Sequence, residues 1–196
     1  MLPHVPFYFL RHGETDWNRR RVMQGHTDIA LNEVGIRQAQ DVARSVGALP
    51  IKTICVSPLS RARRTAEIVN INSVPVVIIE ELKECGFGIH EGEDSRGSWR
   101  AGWLAGGAIE GGERRTDYIA RVQGALRLAL GHAAPVLVVA HGGTFWGLEE
   151  LLGETMHPQN CILYEIMPPA DGQKNWTTAQ RAYPSQVALA AGQDIG

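Results

Sequence analysis

Short apolar runs recur along the chain, and the polar residues between them change period. Phe7–Leu10, Ile51–Val56, Val74–Ile79, Val136–Ala140 and Ile162–Met167 read as strands, being brief, rich in β-branched and aromatic side chains, and bounded by Pro, Gly or polar clusters. Glu33–Val46 instead places Val34, Ala39, Val42 and Val46 on one helical stripe, with Asn32 as its cap and Gly47 as its stop. Ser57-Pro58 predicts another helix start, a capping hydroxyl followed by a ring suited to the first helical position, with the helix running to Val69. Tyr118–Leu130 aligns Ile119, Val122, Leu126 and Leu130 ahead of Gly131. Strands alternating with helices predict an α/β fold, a three-layer α/β/α sandwich around a mostly parallel central sheet. Asn175–Tyr183 is expected as an edge strand, and the small-residue tail 184–196 as a mobile end.

At 196 residues, 44% apolar and 20% charged, the chain fits one domain, 1–196, with its own core. A net charge of −2 argues against nucleic acid or an anionic membrane as a general partner. Cys55, Cys85 and Cys161 are odd in number and widely spaced, which fits reduced thiols and a cytoplasmic location better than a disulfide framework. The apolar run before Arg11 is too short, and lacks the basic region, for a signal peptide. No stretch has the length of a membrane span.

The chemistry sits where strands end. The first run stops at Arg11-His12-Gly13, the second at Ser57-Pro58-Leu59-Ser60-Arg61, and the fourth at His141-Gly142-Gly143-Thr144. In a parallel sheet these three ends share one edge, where ligands of open α/β sheets bind. Two guanidiniums converging there offer planar, permanently charged forks for phosphate or carboxylate oxygens. Arg61, in the first turn of its helix, adds the positive end of the helix dipole. Gly13, Gly142 and Gly143 let backbone approach closely. His12, beside such cations, is expected to be held neutral, and a neutral imidazole is a nucleophile toward phosphorus.

Leu10-Arg11-His12-Gly13-Glu14-Thr15 with Trp17-Asn18 resembles the signature of the histidine phosphatase superfamily, the phosphoglycerate mutase-like proteins. Further blocks follow in the same order: Gln24-Gly25 with Asp28, Leu31-Asn32, Gly35 and Gln38-Ala39; Ser57-Pro58-Leu59 with Arg61-Ala62 and Thr65-Ala66; Glu84, Phe87-Gly88 and Glu91-Gly92; Gly112-Glu113; and Val138–Gly143. The resemblance spans Val5 to Leu152. It implies a phosphoglycerate mutase-like fold and a phosphohistidine mechanism. In that mechanism His12 attacks phosphorus, and Arg11, Arg61, His141 and Asn18 hold the phosphoryl oxygens. Glu84 protonates the leaving oxygen and then activates water. Gln24, Gly25, Gly142 and Gly143 complete the expected substrate contacts. No metal and no cofactor are implied: two guanidiniums and a His141 imidazolium would take the place that Mg²⁺ holds elsewhere.

The departures bear on substrate. His90 stands where many relatives have Trp, Val22 where many have Arg, and Arg114 where Ser is usual. Residues 93–117 form a Gly-rich insert with Trp99 and Trp103, expected as a short helix and loop over the pocket, with Arg96 and Arg100 as its few cations. The family's mutases carry long insertions that shield the phosphohistidine from water. This insert is short, so the expected activity is hydrolysis of small-metabolite phosphomonoesters, with inorganic phosphate as product. The alternatives are a cofactor-dependent phosphoglycerate mutase, a phosphoprotein phosphatase and a catalytically silent phosphoryl-binding protein. A homodimer stays open.

Overall fold

Six strands hydrogen-bond into one sheet in a computed structural model that describes residues 2–182. They are β1 (Phe7–Arg11), β2 (Thr53–Val56), β3 (Val76–Ile78), β4 (Val136–Ala140), β5 (Leu163–Met167) and β6 (Thr177–Ala182), in the spatial order β3-β2-β4-β1-β5-β6. The β3, β2, β4 and β1 strands run parallel, while β5 turns back antiparallel to β1, and β6 antiparallel to β5. The helices are α1 (Asp16–Arg19), α2 (Glu33–Gly47), α3 (Ser60–Val69), α4 (Trp99–Leu104), α5 (Arg115–Ala129) and α6 (Glu149–Leu152).

Strand alternation divides the interior in two. Phe7, Phe9, Val136, Val138 and Ala140 point to one face and pack with Val122, Leu126 and Ala129 of α5. Tyr8, Leu10, Leu137 and Val139 point to the other, against Ala39, Val42 and Val46 of α2 and Ala62, Ala66 and Val69 of α3. The period of two in buried parallel strands thus produces the expected three layers. Asn32 caps α2 by accepting the Gly35 N–H at 2.8 Å. Gly47 is the last helical residue, one position short of the stop role expected of it.

The start of α3 differs from expectation. The helix begins at Ser60, with Leu59 at the cap position and no side-chain capping bond. Ser57 is drawn elsewhere: its hydroxyl lies 2.7 Å from His141 Nε2. The edge strand β3 is also shorter than its apolar run; it pairs on one side only and exposes Val76 and Ile78. Tyr183 and the tail 184–196 lie outside the described residues. Among the described residues no helix is long and apolar enough to cross a membrane.

Candidate active site

The ends of β1, β2 and β4 do meet. Parallel pairing sets β4 between β2 and β1, and the ladder continues one bond further on each side. His12 N–H donates to Ala140 O at 3.0 Å, and Ser57 N–H to Val139 O at 3.1 Å. The sheet itself therefore registers His12, Ser57 and His141 beside one another, with the two imidazole centroids 5.2 Å apart.

The His12 ring donates from Nδ1 to Gly13 O at 2.7 Å. A carbonyl only accepts, so the hydrogen sits on Nδ1 and Nε2 keeps its lone pair. Burial, then the charges of Arg61 and Arg11, hold His12 well below the ordinary imidazole range. The Gly13 N–H donates to Thr65 Oγ1 at 3.0 Å, and Thr65 donates to Arg61 O at 2.8 Å. One hydroxyl thereby links the β1 turn to α3. Behind the turn, Gly13 and Gly35 lie in contact: a Cβ on Gly13 would come within 2.4 Å of Gly35 O.

Both arginines are buried and braced by backbone carbonyls. Arg11 Nη1 donates to Pro158 O at 2.9 Å. Arg61 Nη1 and Nη2 donate to Thr27 O at 3.0 Å and Gly25 O at 2.8 Å. The Nε atoms of both arginines, and His141 Nδ1, are buried with no partner in the protein. Burial lowers Arg11 and pulls Arg61 down to about 10, with Glu84 opposing in both cases. At about 10, Arg61 still carries its charge at neutral pH. Beneath them, Asn160 Nδ2 donates to His12 O at 2.8 Å and Cys161 N–H to Arg11 O at 3.0 Å.

Glu84 faces this cationic floor from a loop that α5 clamps. Arg121 pairs with Glu113 at 2.6 Å. Its guanidinium also donates to Glu81 O at 2.7 Å, Lys83 O at 3.0 Å and Glu84 O at 3.1 Å. The His26 ring adds a bond from Nε2 to Glu84 O at 2.9 Å. Glu91 ties the preceding loop to the same region, accepting from His26 N–H, Thr27 N–H and hydroxyl, and Phe87 N–H. Gly25, at φ +51, is required there, since a Cβ would fall 2.1 Å from Glu91 Oε1.

Between floor and roof lies a cavity of about 20 Å³, walled by Arg11, His12, Gln24, Gly25, Arg61 and Glu84 together with Arg100, Trp103 and Trp146. That space is on the scale of one or two water-sized groups. A larger cavity of about 440 Å³ shares Arg100 and Trp146 with it and adds Arg96, Arg115, Thr155 and His157. Arg100 and Trp103 of α4 bring this segment to the cavity wall. Among the described residues, no three His, Cys, Asp or Glu side chains gather into a set that would hold a metal ion.

The model of the histidine phosphatase superfamily, branch 1, matches residues 7–166. The chain belongs to this superfamily. A Cronobacter sakazakii protein described as probable phosphoglycerate mutase GpmB is 35% identical over 179 residues, which cover 81% of this chain and 83% of that protein. A mycobacterial glucosyl-3-phosphoglycerate phosphatase, solved in complex with VO3, superposes with a TM-score of 0.74 at 28% identity, over 89% of this chain and 97% of that one. The protein TTHB049 of Thermus thermophilus superposes with a TM-score of 0.71 at 30% identity, over 90% of this chain and 99% of that one.

This histidine phosphatase superfamily member brings Arg11, His12, Gln24, Gly25, Arg61 and Glu84 to one cavity, with His141 beside His12. Asn18, Gly142, Gly143 and His141 are not among the cavity walls. Asn18 does not line the pocket; its Oδ1 accepts from Thr15 N–H and hydroxyl, each at 3.1 Å, in the capping box of α1. Gly142 and Gly143 are not walls either. A Cβ on Gly142 would lie 3.4 Å from Arg11 Cζ, and one on Gly143 2.3 Å from Glu84 Oε1, so both make room for the side chains that are walls. The field around His141 disfavours its imidazolium. Burial first, then Arg61, His12 and Arg11, drive it well below the ordinary range.

The sequence pattern gave no notice of the roles of Tyr118, Arg121, Asn160 and Trp146. Around the roof only Glu113 and Glu91 carried a signal, as members of the matched blocks.

Proposed function

We propose that this protein hydrolyses phosphomonoesters through a phosphohistidine on His12. The observation that supports this most directly is the unprotonated Nε2 of His12 beside the buried, unpartnered Nε–H groups of Arg11 and Arg61. A tetrahedral anion would supply the acceptors these donors lack.

In the first step Nε2 bonds to phosphorus as the bond from phosphorus to the ester oxygen breaks. The proton on Glu84 passes to the departing alcohol. Arg11 and Arg61 hold the equatorial oxygens, and His141 donates from Nδ1 while its Nε2 accepts the Ser57 hydroxyl. In the second step water attacks phosphorus, its proton returns to Glu84, and the phosphorus–nitrogen bond breaks to release inorganic phosphate. An acid and base so placed is worth roughly 10²- to 10⁴-fold.

The alcohol would occupy the larger neighbouring cavity. The relatives' names include both a mutase and a phosphatase. The short insert over the pocket supports hydrolysis, with the described chain acting as one unit.

The test is rapid-quench turnover with EDTA present, using p-nitrophenyl phosphate and a panel of metabolite esters, 3-phosphoglycerate being assayed separately for hydrolysis and isomerisation. Acid-labile, base-stable phosphate trapped on His12 and released as inorganic phosphate is the expected result. Label on Ser, Asp or Cys overturns the mechanism. Isomerisation without net phosphate release overturns the hydrolase assignment and favours the mutase.

A further inference from the structure

Two buried guanidiniums and a carboxylate wall the same small cavity. In so confined a space opposite charges attract strongly, and a bidentate Arg–carboxylate pair is the favoured outcome. Such a pair would close the pocket. The arginines instead direct their Nη atoms to the carbonyls of Pro158, Thr27 and Gly25, and Glu84 binds neutral donors. Oε1 accepts from the Tyr118 hydroxyl at 2.8 Å and from Cys85 N–H at 2.9 Å, and Oε2 accepts from Gly143 N–H at 3.1 Å.

Resting on the acid–base role of Glu84, we propose that Tyr118 is a positioning residue that holds the Glu84 carboxylate off the arginines and leaves Oε2 as the oxygen that carries the proton. The Tyr118 ring is fully buried on α5, edge-on to Trp146 at 5.8 Å and beneath the Arg121 guanidinium at 4.9 Å, so the hydroxyl is delivered from a fixed point. Burial, with the Glu84 charge next, pushes the phenol well above its ordinary range, and the hydroxyl remains a donor. The arrangement leaves no slack: a Cβ on Gly143 would fall 2.3 Å from Glu84 Oε1 and 2.8 Å from the Tyr118 oxygen. Oε1 already accepts two hydrogen bonds, so protonation there would displace a donor. Oε2 accepts one and can take the proton without that loss.

Tyr118→Phe keeps the ring and removes the hydroxyl. Good and poor leaving groups separate its effect from a general structural one. The bond to p-nitrophenolate breaks with little need of an acid, whereas an alkyl alcohol requires one. Measured as kcat/KM at each protein's own pH optimum, the loss on an alkyl ester such as glycerol 2-phosphate should exceed that on p-nitrophenyl phosphate by roughly tenfold, the scale of one hydrogen bond to a charged group. With one donor to the carboxylate removed, the protonated form persists further, so the alkaline limb of the profile should move to higher pH.

Glu84→Gln is measured beside it and should show the same leaving-group pattern more strongly. Equal losses on both esters in Tyr118→Phe, with an unmoved alkaline limb, overturn the positioning role while Glu84 keeps its own. No leaving-group dependence in Glu84→Gln overturns the acid role and the positioning role with it. Should Tyr118→Phe fail to fold, site-specific 3-fluorotyrosine at 118, a stronger donor of nearly the same size, must move the alkaline limb to lower pH; an unmoved limb overturns the proposal.

Discussion

On the floor of the pocket Arg11 Nε, Arg61 Nε and His141 Nδ1 are buried without protein partners, whereas across from them Glu84 accepts three hydrogen bonds at its carboxylate and two more at its carbonyl. The floor hangs on strand ends and the first turn of α3, and the roof on a loop. The strand ends are registered by sheet ladder bonds, so donors can be left unmatched there without the backbone shifting. The loop has no ladder, and Arg121, Glu113 and His26 do for it what neighbouring strands do for the floor. Rigidity comes from the sheet on one side and from a side-chain clamp on the other. Of the buried unpartnered side-chain nitrogens among the described residues, three lie on this floor and two, Trp99 Nε1 and Arg115 Nε, lie elsewhere.

The largest effect should come from altering the floor while keeping its charge. Arg61→Lys retains a cation but loses the fork that reaches Gly25 and Thr27, so kcat/KM for p-nitrophenyl phosphate should fall by roughly 10²- to 10³-fold. Competitive inhibition by inorganic phosphate should weaken with it. A lysine variant within tenfold of the parent would mean that a point charge suffices and that the fork is incidental.

Loosening the roof should do less. Arg121→Met removes the bonds to Glu81, Lys83 and Glu84 carbonyls but leaves Glu84 in the chain, so turnover should fall by roughly 10- to 100-fold, below the full worth of an acid–base group. Phosphate inhibition should stay where it is. If phosphate binding weakens as much as turnover, floor and roof are not separable.

The smallest effect is on stability. His12 and His141 are both held well below the ordinary imidazole range by burial and by the arginines. Below roughly pH 6.5 the unfolded chain takes up protons that the folded protein refuses. Stability should therefore be full above that pH and decline as pH falls, by up to about 1.4 kcal/mol per pH unit for each histidine. Urea unfolding at pH 7.5 and 5.5 checks this, with His141→Asn expected to flatten the decline; an equal decline in the variant would place its source elsewhere.

The floor was legible in the sequence, because strand ends and the converging Arg and His residues follow from local pattern plus parallel topology. The roof was legible only at Glu84, Glu91 and Glu113, through the family resemblance. Tyr118 shows why. Its place on the apolar stripe of α5 marks it as core, and nothing in that pattern says that its hydroxyl meets a carboxylate 34 residues away. Ser57 misled for the opposite reason: a serine before a proline is a good cap by propensity, but a buried imidazole at hydrogen-bond distance competes for the same hydroxyl. Asn18, Gly142 and Gly143 sit in the right motifs and serve them from behind, a distinction that only side-chain direction reveals.

The back-to-back contact of Gly13 and Gly35 reaches beyond this pocket. Neither position has space for one more carbon atom, so the nucleophile turn and the first turn of α2 form a single joint. An engineer transplanting the Arg-His-Gly turn onto another scaffold would have to bring that helix as well, since a Cβ on Gly13 would meet Gly35 and one on Gly35 would meet Glu14.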